Sequence, residues 1–364
     1  MSSADSSVAL TPESSSIPFY EAYLDAGRVP DVLTRFVARQ FFHRQKRQYD
    51  SASKTASNQV KLDYIHALKN QKVIALNTKE ANEQHYEVPT SFFRLHLGDR
   101  MKYSCSYYES GAKTLEEAEI AMLELYVERA DIKDGMSILE LGCGWGSLCL
   151  YLAERFPNSQ VTAVSNSNTQ REYITGVAAS KGFNNIKVIT ADMNYFNFDH
   201  PVEFDRILSI EMFEHMKNYS LLFQKVSTWL KPETGRLFIH VFCHRVMPYD
   251  FKTEDDDSWM ARNFFTGGTM PSEDLFLFFQ EHVSVVNRWI VNGTNYGKTA
   301  AHWLQRLDAH KKEAVEILTK AYGDPKLGFA WFNRWRTFYV LVEETWNYNK
   351  GQEFEVIHYL FKRQ

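Results

Sequence analysis

Gly135-Met136-Ser137-Ile138-Leu139-Glu140-Leu141-Gly142-Cys143-Gly144-Trp145-Gly146 is the stretch that decides the fold of this chain. Ser137 to Leu141 has the apolar content of a short buried strand, with Ile138, Leu139 and Leu141 leading into a Gly-rich turn. Ser147 to Phe156 then takes up the apolar spacing of a helix. Strand, turn and helix form the opening half of a nucleotide-binding α/β unit, where glycine lets the backbone turn tightly and approach a ligand. The turn reads Gly-x-Gly-x-Gly, which differs from the dinucleotide fingerprint Gly-x-Gly-x-x-Gly. Glu140, inside the strand, would repel a pyrophosphate but could hold the ammonium of a methionine-like tail.

Working outward from that unit, the chain continues in β–α alternation. Gln160–Val164, Ile186–Thr190, Phe204–Ile210 and Arg236–Phe242 read as the second to fifth strands, with helices over about 169–181 and 211–230. The expected fold class is therefore α/β, a doubly wound sheet. Ligands of such sheets bind at the carboxyl ends of the strands, and here those ends carry Ser165-Asn166, Asp192, Glu211 and His240. Later segments read as a strand (283–291), two helices (300–322 and 330–346) and a last strand (354–361).

Before the core, 30–49 and 57–76 read as helices. The first has apolar positions Val32, Leu33, Phe36, Val37, Phe41 and Phe42 at helical spacing. Its other face, with Arg35, Arg39, Arg44, Lys46 and Arg47, is expected to be basic and solvated. Residues 1–17 read as a disordered tail, 18–112 as a helical extension and lid, and 113–364 as the core. An aromatic-rich cap is inserted over about 244–281; its run Glu254-Asp255-Asp256-Asp257 is expected to be solvated.

Composition narrows the function classes. The 364 residues are 44% hydrophobic and 24% charged with a net charge of −4. That is ordinary for a globular protein and gives no footprint for a nucleic-acid partner. Aromatics reach 15% and crowd into the C-terminal third, which suits flat, apolar ligands. Cys105, Cys143, Cys149 and Cys243 lack metal-ligand spacing, so no metal is expected, and scattered cysteines fit a reducing compartment. No stretch offers the roughly 18 apolar residues of a membrane span, and the N-terminus does not read as a signal peptide. A cytoplasmic location without stable membrane association is the expectation.

Three landmarks together resemble one methyltransferase lineage: Tyr103-Ser104-Cys105, Glu140-Leu141-Gly142-Cys143-Gly144-Trp145-Gly146-Ser147, and Glu211-Met212-Phe213-Glu214-His215-Met216. This is the class I S-adenosylmethionine-dependent group that holds the cyclopropane fatty acid synthases and the plant coclaurine N-methyltransferase-like enzymes. Val164-Ser165-Asn166-Ser167, Phe264-Phe265-Thr266-Gly267-Gly268-Thr269-Met270-Pro271 and Phe361-Lys362 resemble the plant amine N-methyltransferases. The resemblance runs from about residue 30 to the C-terminus and implies a class I, Rossmann-like methyltransferase fold. It also implies S-adenosylmethionine as cofactor and a small aromatic amine, phenylalkylamine or benzylisoquinoline in type, as acceptor.

By that resemblance, Ser104 reaches the methionyl carboxylate and the turn with Gly142 and Gly144 cradles the methionyl part. Asn166 and Gln170 hold the ribose, where many relatives carry an acidic residue instead; an Asn can still bond a hydroxyl. Asp192 and Met193 frame the adenine. Glu211, Glu214 and His215 are the expected catalytic centre, placed at i, i+3 and i+4 on one face of a helix. A Glu/His pair there would orient and deprotonate an amine. Tyr86, Phe92, Phe264, Trp331, Trp335 and Phe338 are the candidate wall for cation–π contact with the charged product.

Two other readings stand beside this one. A lipid-modifying cyclopropane synthase needs a base for a carbocation, which in that lineage is a bicarbonate, and Cys105, Glu214 and His240 match the positions that hold it. Against it, no Cys follows Cys243, although the bacterial synthases carry one near their C-terminus. The remaining reading is a non-catalytic binding protein on the same fold.

Overall fold

The computed structural model describes residues 19–51, 53–76, 88–253 and 259–364. The expected tail 1–17, the acidic run 254–257 of the cap and Tyr86 lie outside the described residues. Nine strands, β1 to β9, form two sheets among these residues. The large one has the order β3-β2-β1-β4-β5-β9-β8. Its first five strands are β1 (Ser137–Leu141), β2 (Gln160–Ser165), β3 (Ile186–Thr190), β4 (Arg206–Ile210) and β5 (Arg236–His244). These pair in parallel, while β8 (Val283–Val291) and β9 (Phe354–Arg363) close the edge antiparallel. Parallel strands buried on both faces explain the near-continuous apolar runs of β1 and β4. The order reverses between β2-β1 and β4, which opens a crevice above β1 and β4, the usual ligand position of doubly wound sheets. The other two strands, β6 (Tyr249–Asp250) and β7 (Thr269–Met270), make a small sheet in the cap.

Helices cover both faces. In chain order they are α1 (Phe19–Asp25), α2 (Asp31–Ser51), α3 (Lys54–Lys69), α4 (Thr90–Arg94), α5 (Leu115–Arg129), α6 (Ser147–Arg155), α7 (Asn168–Lys181), α8 (Tyr219–Ser227), α9 (Trp259–Asn263), α10 (Thr294–Ala309), α11 (Lys311–Tyr322) and α12 (Pro325–Asn347). Buried side chains fall into two clusters. One includes Ile138, Tyr126, Trp303 and Trp335; the other includes Leu139, Phe213, Phe223 and Tyr359. No helix among the described residues is long and apolar enough to cross a membrane.

Three expectations change. First, α2 turns Arg35 and Arg39 toward α12, while Arg44 and Arg47 stay exposed. Arg35 bonds Glu343 and Glu344 at 2.6 and 2.8 Å, and Arg39 bonds Glu344 at 2.5 and 2.8 Å. Val32, Leu33, Phe36, Val37 and Phe41 are exposed, while Ala38 and Phe42 are buried. Charge pairing with α12, more than 300 residues away in sequence, decides the face that apolar spacing alone assigned the other way. Second, the helix expected over 57–76 ends at Lys69, because Asn218 Nδ2 donates to the carbonyls of Lys69 and Gln71. The rest of that stretch is not helical, and Ala75 bridges to Met216 at the mouth of the crevice. Third, no helix starts at Glu211. β4 ends at Ile210, a single 3-10 turn covers Phe213–His215, and α8 starts only after Asn218, whose side chain caps Leu221 N at 2.9 Å.

Candidate active site

The Gly-rich turn leaves β1 with Gly142 at φ +74° and Gly144 at φ +52°. Both Gly142 N–H and Cys143 N–H donate to the Val164 carbonyl, at 2.9 and 3.0 Å, which ties the turn to β2. A Cβ on Gly142 would lie 2.7 Å from Met212 Cβ, so the turn packs tightly on one side. A Cβ on Gly144 would meet nothing within 4 Å. That side of the turn opens into a cleft.

The cleft has two arms that share Gly142, Gly144, Gln170 and Glu211. One, of about 790 Å³, runs past Asn166, Asp192 and Met193 to His215, Thr266 and Gly267, with Ala75 and Leu76 at its rim. The other, of about 530 Å³, runs past Ser104, Glu140 and Trp145. All eight expected cofactor residues therefore line one cleft: Gly142, Gly144, Asn166, Gln170, Asp192 and Met193 in the first arm, Ser104 and Glu140 in the second.

The polar atoms along it fit S-adenosylmethionine. Ser165 Oγ donates to Gln170 Oε1 at 2.6 Å, which orients the amide and leaves its buried Nε2 without a hydrogen-bond partner among the described residues. Glu140 Oε2 is buried and unpartnered in the same way. Such groups are costly unless a ligand completes them, and they suit an adenosyl hydroxyl and a methionyl ammonium respectively. Asp192 also serves its own turn, accepting from Asn194 N at 2.8 Å, while it lines the first arm.

Burial pushes the Glu140 carboxyl up to about 8. Ammonium binding requires the ionised form, so a proton must leave as the ligand arrives. Cofactor affinity is therefore expected to rise as pH rises toward 8 and to fall again where the ligand's own ammonium loses its proton. Calorimetry at pH 7 in buffers of different ionisation enthalpy should show proton release. Absence of release would remove Glu140 from the ammonium site.

Between the arms lies Glu211, held at φ +50° at the end of β4. Its Oε1 accepts from Cys105 N–H at 2.9 Å and lies 3.0 Å from His240 Nε2, while Oε2 accepts from Tyr296 O–H at 2.7 Å. Two of the three positions matched to a bicarbonate, Cys105 and His240, thus converge on a carboxylate that belongs to the protein. Burial raises the pKa of Glu211, opposed by the charge of Lys102 and by the Cys105 and Tyr296 hydrogen bonds. Lys102 is itself buried and donates to Ser104 Oγ at 2.5 Å, to the Cys105 carbonyl at 2.8 Å and to Tyr126 Oη at 3.0 Å.

Glu214 and His215 do not share a face with Glu211, because no helix carries the three. On the 3-10 turn, adjacent side chains diverge by about 120°. His215 lines the cleft, its ring parallel to that of Phe265 with centroids 5.8 Å apart. Glu214 is 1% exposed and lines neither arm, and neither of its oxygens has a hydrogen-bond partner among the described residues. Burial, then the neighbouring Glu211 charge, push its pKa well up. Two carboxyls so placed each oppose ionisation of the other, and Lys102 favours it at Glu211.

The expected aromatic wall is displaced by one layer. Phe92 and Trp335 are fully buried and pack on each other at 5.4 Å, and Phe264 stacks on Phe338 at 4.4 Å; none lines the cleft. Trp331 stacks on Tyr322 at 5.3 Å, also away from it. Phe265 takes the place facing His215, backed by Phe338 at 6.2 Å and Phe242 at 5.9 Å. Sequence reasoning passed over Phe265 although it stands beside Phe264. Lys102, which adjoins the Tyr103-Ser104-Cys105 landmark, was passed over too, as was Tyr296, which lies before the expected start of its helix.

Comparison with known proteins agrees with this geometry. Residues 75–324 match the mycolic acid cyclopropane synthetase family. The chain is 41% identical over 306 residues to (S)-coclaurine N-methyltransferase of Thalictrum flavum subsp. glaucum, covering 83% of this chain and 84% of that one. It is 36% identical to (S)-coclaurine N-methyltransferase of Papaver somniferum, covering 94% and 97%. A crystal structure of coclaurine N-methyltransferase bound to N-methylheliamine and SAH superposes with a TM-score of 0.90 at 36% identity, covering 94% of this chain and 98% of that one. With the Gly turn, the two-armed cleft and the cluster at the end of β4, these findings make the chain a member of the coclaurine N-methyltransferase-like family, an S-adenosylmethionine-dependent amine N-methyltransferase.

Proposed function

We propose that the acceptor is a small aromatic amine of phenylalkylamine or benzylisoquinoline type, bound between Glu211, His215 and Phe265. The observation that carries this reading is the pair of buried carboxyls at the end of β4. Glu211 is saturated by protein donors, whereas Glu214 has none for either oxygen. A pair in need of a positive partner, beside an aromatic face, suits an alkylammonium better than an alkene. The names of the relatives, which include pavine and (S)-tetrahydroprotoberberine N-methyltransferases, support the same class.

The cofactor, when bound, supplies an electrophilic sulfonium methyl. The chain's task is to present an amine lone pair to it. An aliphatic amine with pKa near 10.4 is neutral in only about one molecule in a thousand at pH 7, equivalent to roughly 4–5 kcal/mol. The carboxyl pair draws in the ammonium. His215, lining the cleft, accepts its proton, and an imidazole is the side chain whose ordinary range lies nearest pH 7. Phe265 offers its ring to the charge that reappears on the methylated nitrogen.

Radiolabelled methyl transfer, offered phenylalkylamines, tetrahydroisoquinolines and phospholipid vesicles in parallel, tests the proposal. Label is expected in the amines. Label in lipid alone would overturn the amine reading.

A further inference from the structure

Behind Glu211 a row of buried hydrogen bonds crosses the sheet to the outside. His240 on β5 and His358 on β9 are directly paired across the antiparallel ladder, so their rings stand on one face, centroids 4.8 Å apart. His358 Nε2 lies 2.9 Å from His240 Nδ1, and Arg129 at the end of α5 places a guanidinium nitrogen 2.7 Å from His358 Nδ1. Both histidines are fully buried, and Arg129 is half-buried against the Trp289 ring.

The direction of this row follows from donor chemistry. A guanidinium has only donors, so His358 Nδ1 must be the lone-pair nitrogen and its Nε2 must carry the proton. That proton points at His240 Nδ1, which leaves the His240 proton on Nε2, facing Glu211 Oε1 at 3.0 Å. Tyr126 Oη, which accepts from Lys102 Nζ, lies 2.9 Å from the same His240 Nδ1, so its hydrogen and that of His358 Nε2 share one lone pair in a three-centre bond. Burial and the charges of Lys102 and Arg129 hold His240 neutral, and burial with the same neighbours holds His358 neutral, as this relay requires.

We propose that Arg129 and His358 are positioning residues for methyl transfer, which fix His240 as a donor to Glu211 and so keep the Glu211 carboxylate ionised and aimed at the cleft. This rests on Glu211 being part of the counter-charge for the amine. The other groups facing Glu211 are Lys102 and Cys105 before α5, Tyr126 on α5, Glu214 and His215 on the 3-10 turn, and Tyr296 on α10. Of these, Lys102 favours the ionised form and Glu214 opposes it. Loss of the Arg129–His358 arm tilts that balance toward protonation.

The test is the pH profile of kcat/KM for the wild type, Arg129→Met, Arg129→Lys and His358→Phe. Hydrogen bonds to a carboxylate favour its charged form. Arg129→Met and His358→Phe are therefore expected to move the acid limb up by about one pH unit and to lower kcat/KM about tenfold at pH 7, with cofactor affinity unchanged. Arg129→Lys, which keeps a cationic donor, should restore the limb. An acid limb that stays in place in Arg129→Met, whether or not activity falls, would overturn the proposal and leave the row a packing feature. Should His358→Phe not fold, the half-buried Arg129 variants still decide. A wild type that methylates no amine would instead sink the reading of the site itself.

Discussion

Glu214→Ala is expected to lower kcat by about two to four orders of magnitude while leaving cofactor affinity within a few-fold of the wild type. By the proposed reading Glu214 acts on the amine through the charge it shares with Glu211, because it is buried, lines neither arm of the cleft and has no hydrogen-bond partner for either oxygen among the described residues. Stability should move the other way. A buried carboxyl without hydrogen bonds costs free energy in the folded state, so Glu214→Gln is expected to leave the thermal midpoint unchanged or raise it. Loss of activity with retained or increased stability is the pattern of a group kept for function. Single-turnover kinetics with calorimetric cofactor binding would check both halves. A parallel fall in cofactor affinity would place Glu214 in the cofactor site; full activity in Glu214→Ala would remove it from the chemistry.

Gly144→Val is expected to abolish cofactor binding, raising the dissociation constant by about a hundredfold or more, roughly the 3 kcal/mol of a blocked contact surface. Gly144 has φ +52°, and its Cβ direction points into open cleft with no atom within 4 Å. A branched side chain there fills the space over which the backbone approaches the methionyl part. Its cost to the fold is limited to the left-handed backbone, about 2 kcal/mol, because nothing in the protein is displaced. Gly142→Ala provides the contrast: the added methyl would lie 2.7 Å from Met212 Cβ, so stability and binding fall together. Thermal melting beside calorimetry distinguishes the two. Binding retained by Gly144→Val would show that the ligand does not lie over the turn.

Much of the fold was legible because its signals are local. Strands β1 to β5 are short apolar runs, each bounded by turn residues, and the segment expected at 354–361 became β9. Two readings changed where non-local partners intervene. The helix expected over 30–49 formed as α2, but it presents Arg35 and Arg39 to Glu343 and Glu344 of α12, and most of its apolar stripe faces outward. The stretch after Glu211 breaks at Asn218, a capping residue whose amide also holds the end of α3. Spacing in one segment carries no record of either contact.

The division within the site follows the same physics. Sequence alone pointed to the cofactor, through a family resemblance whose central motif, the turn with Gly142, Gly144 and Gly146 and the adjoining Glu140, lies within a dozen residues and acts through backbone geometry and charge that neighbours supply. Tertiary structure gave the two carboxyls of the motif different surroundings. Glu211 is satisfied by Cys105, Tyr296 and His240, which are 106, 85 and 29 residues away along the chain. Only that convergence separates it from Glu214, three positions on, whose oxygens no protein donor reaches among the described residues. Which aromatics stand near the cleft was likewise set by packing, which buried Phe264 and Trp335 and placed Phe265 against the His215 ring. Hydrogen-bond saturation and burial are properties of the assembled chain, so a motif can name the residues of a site without assigning them their work.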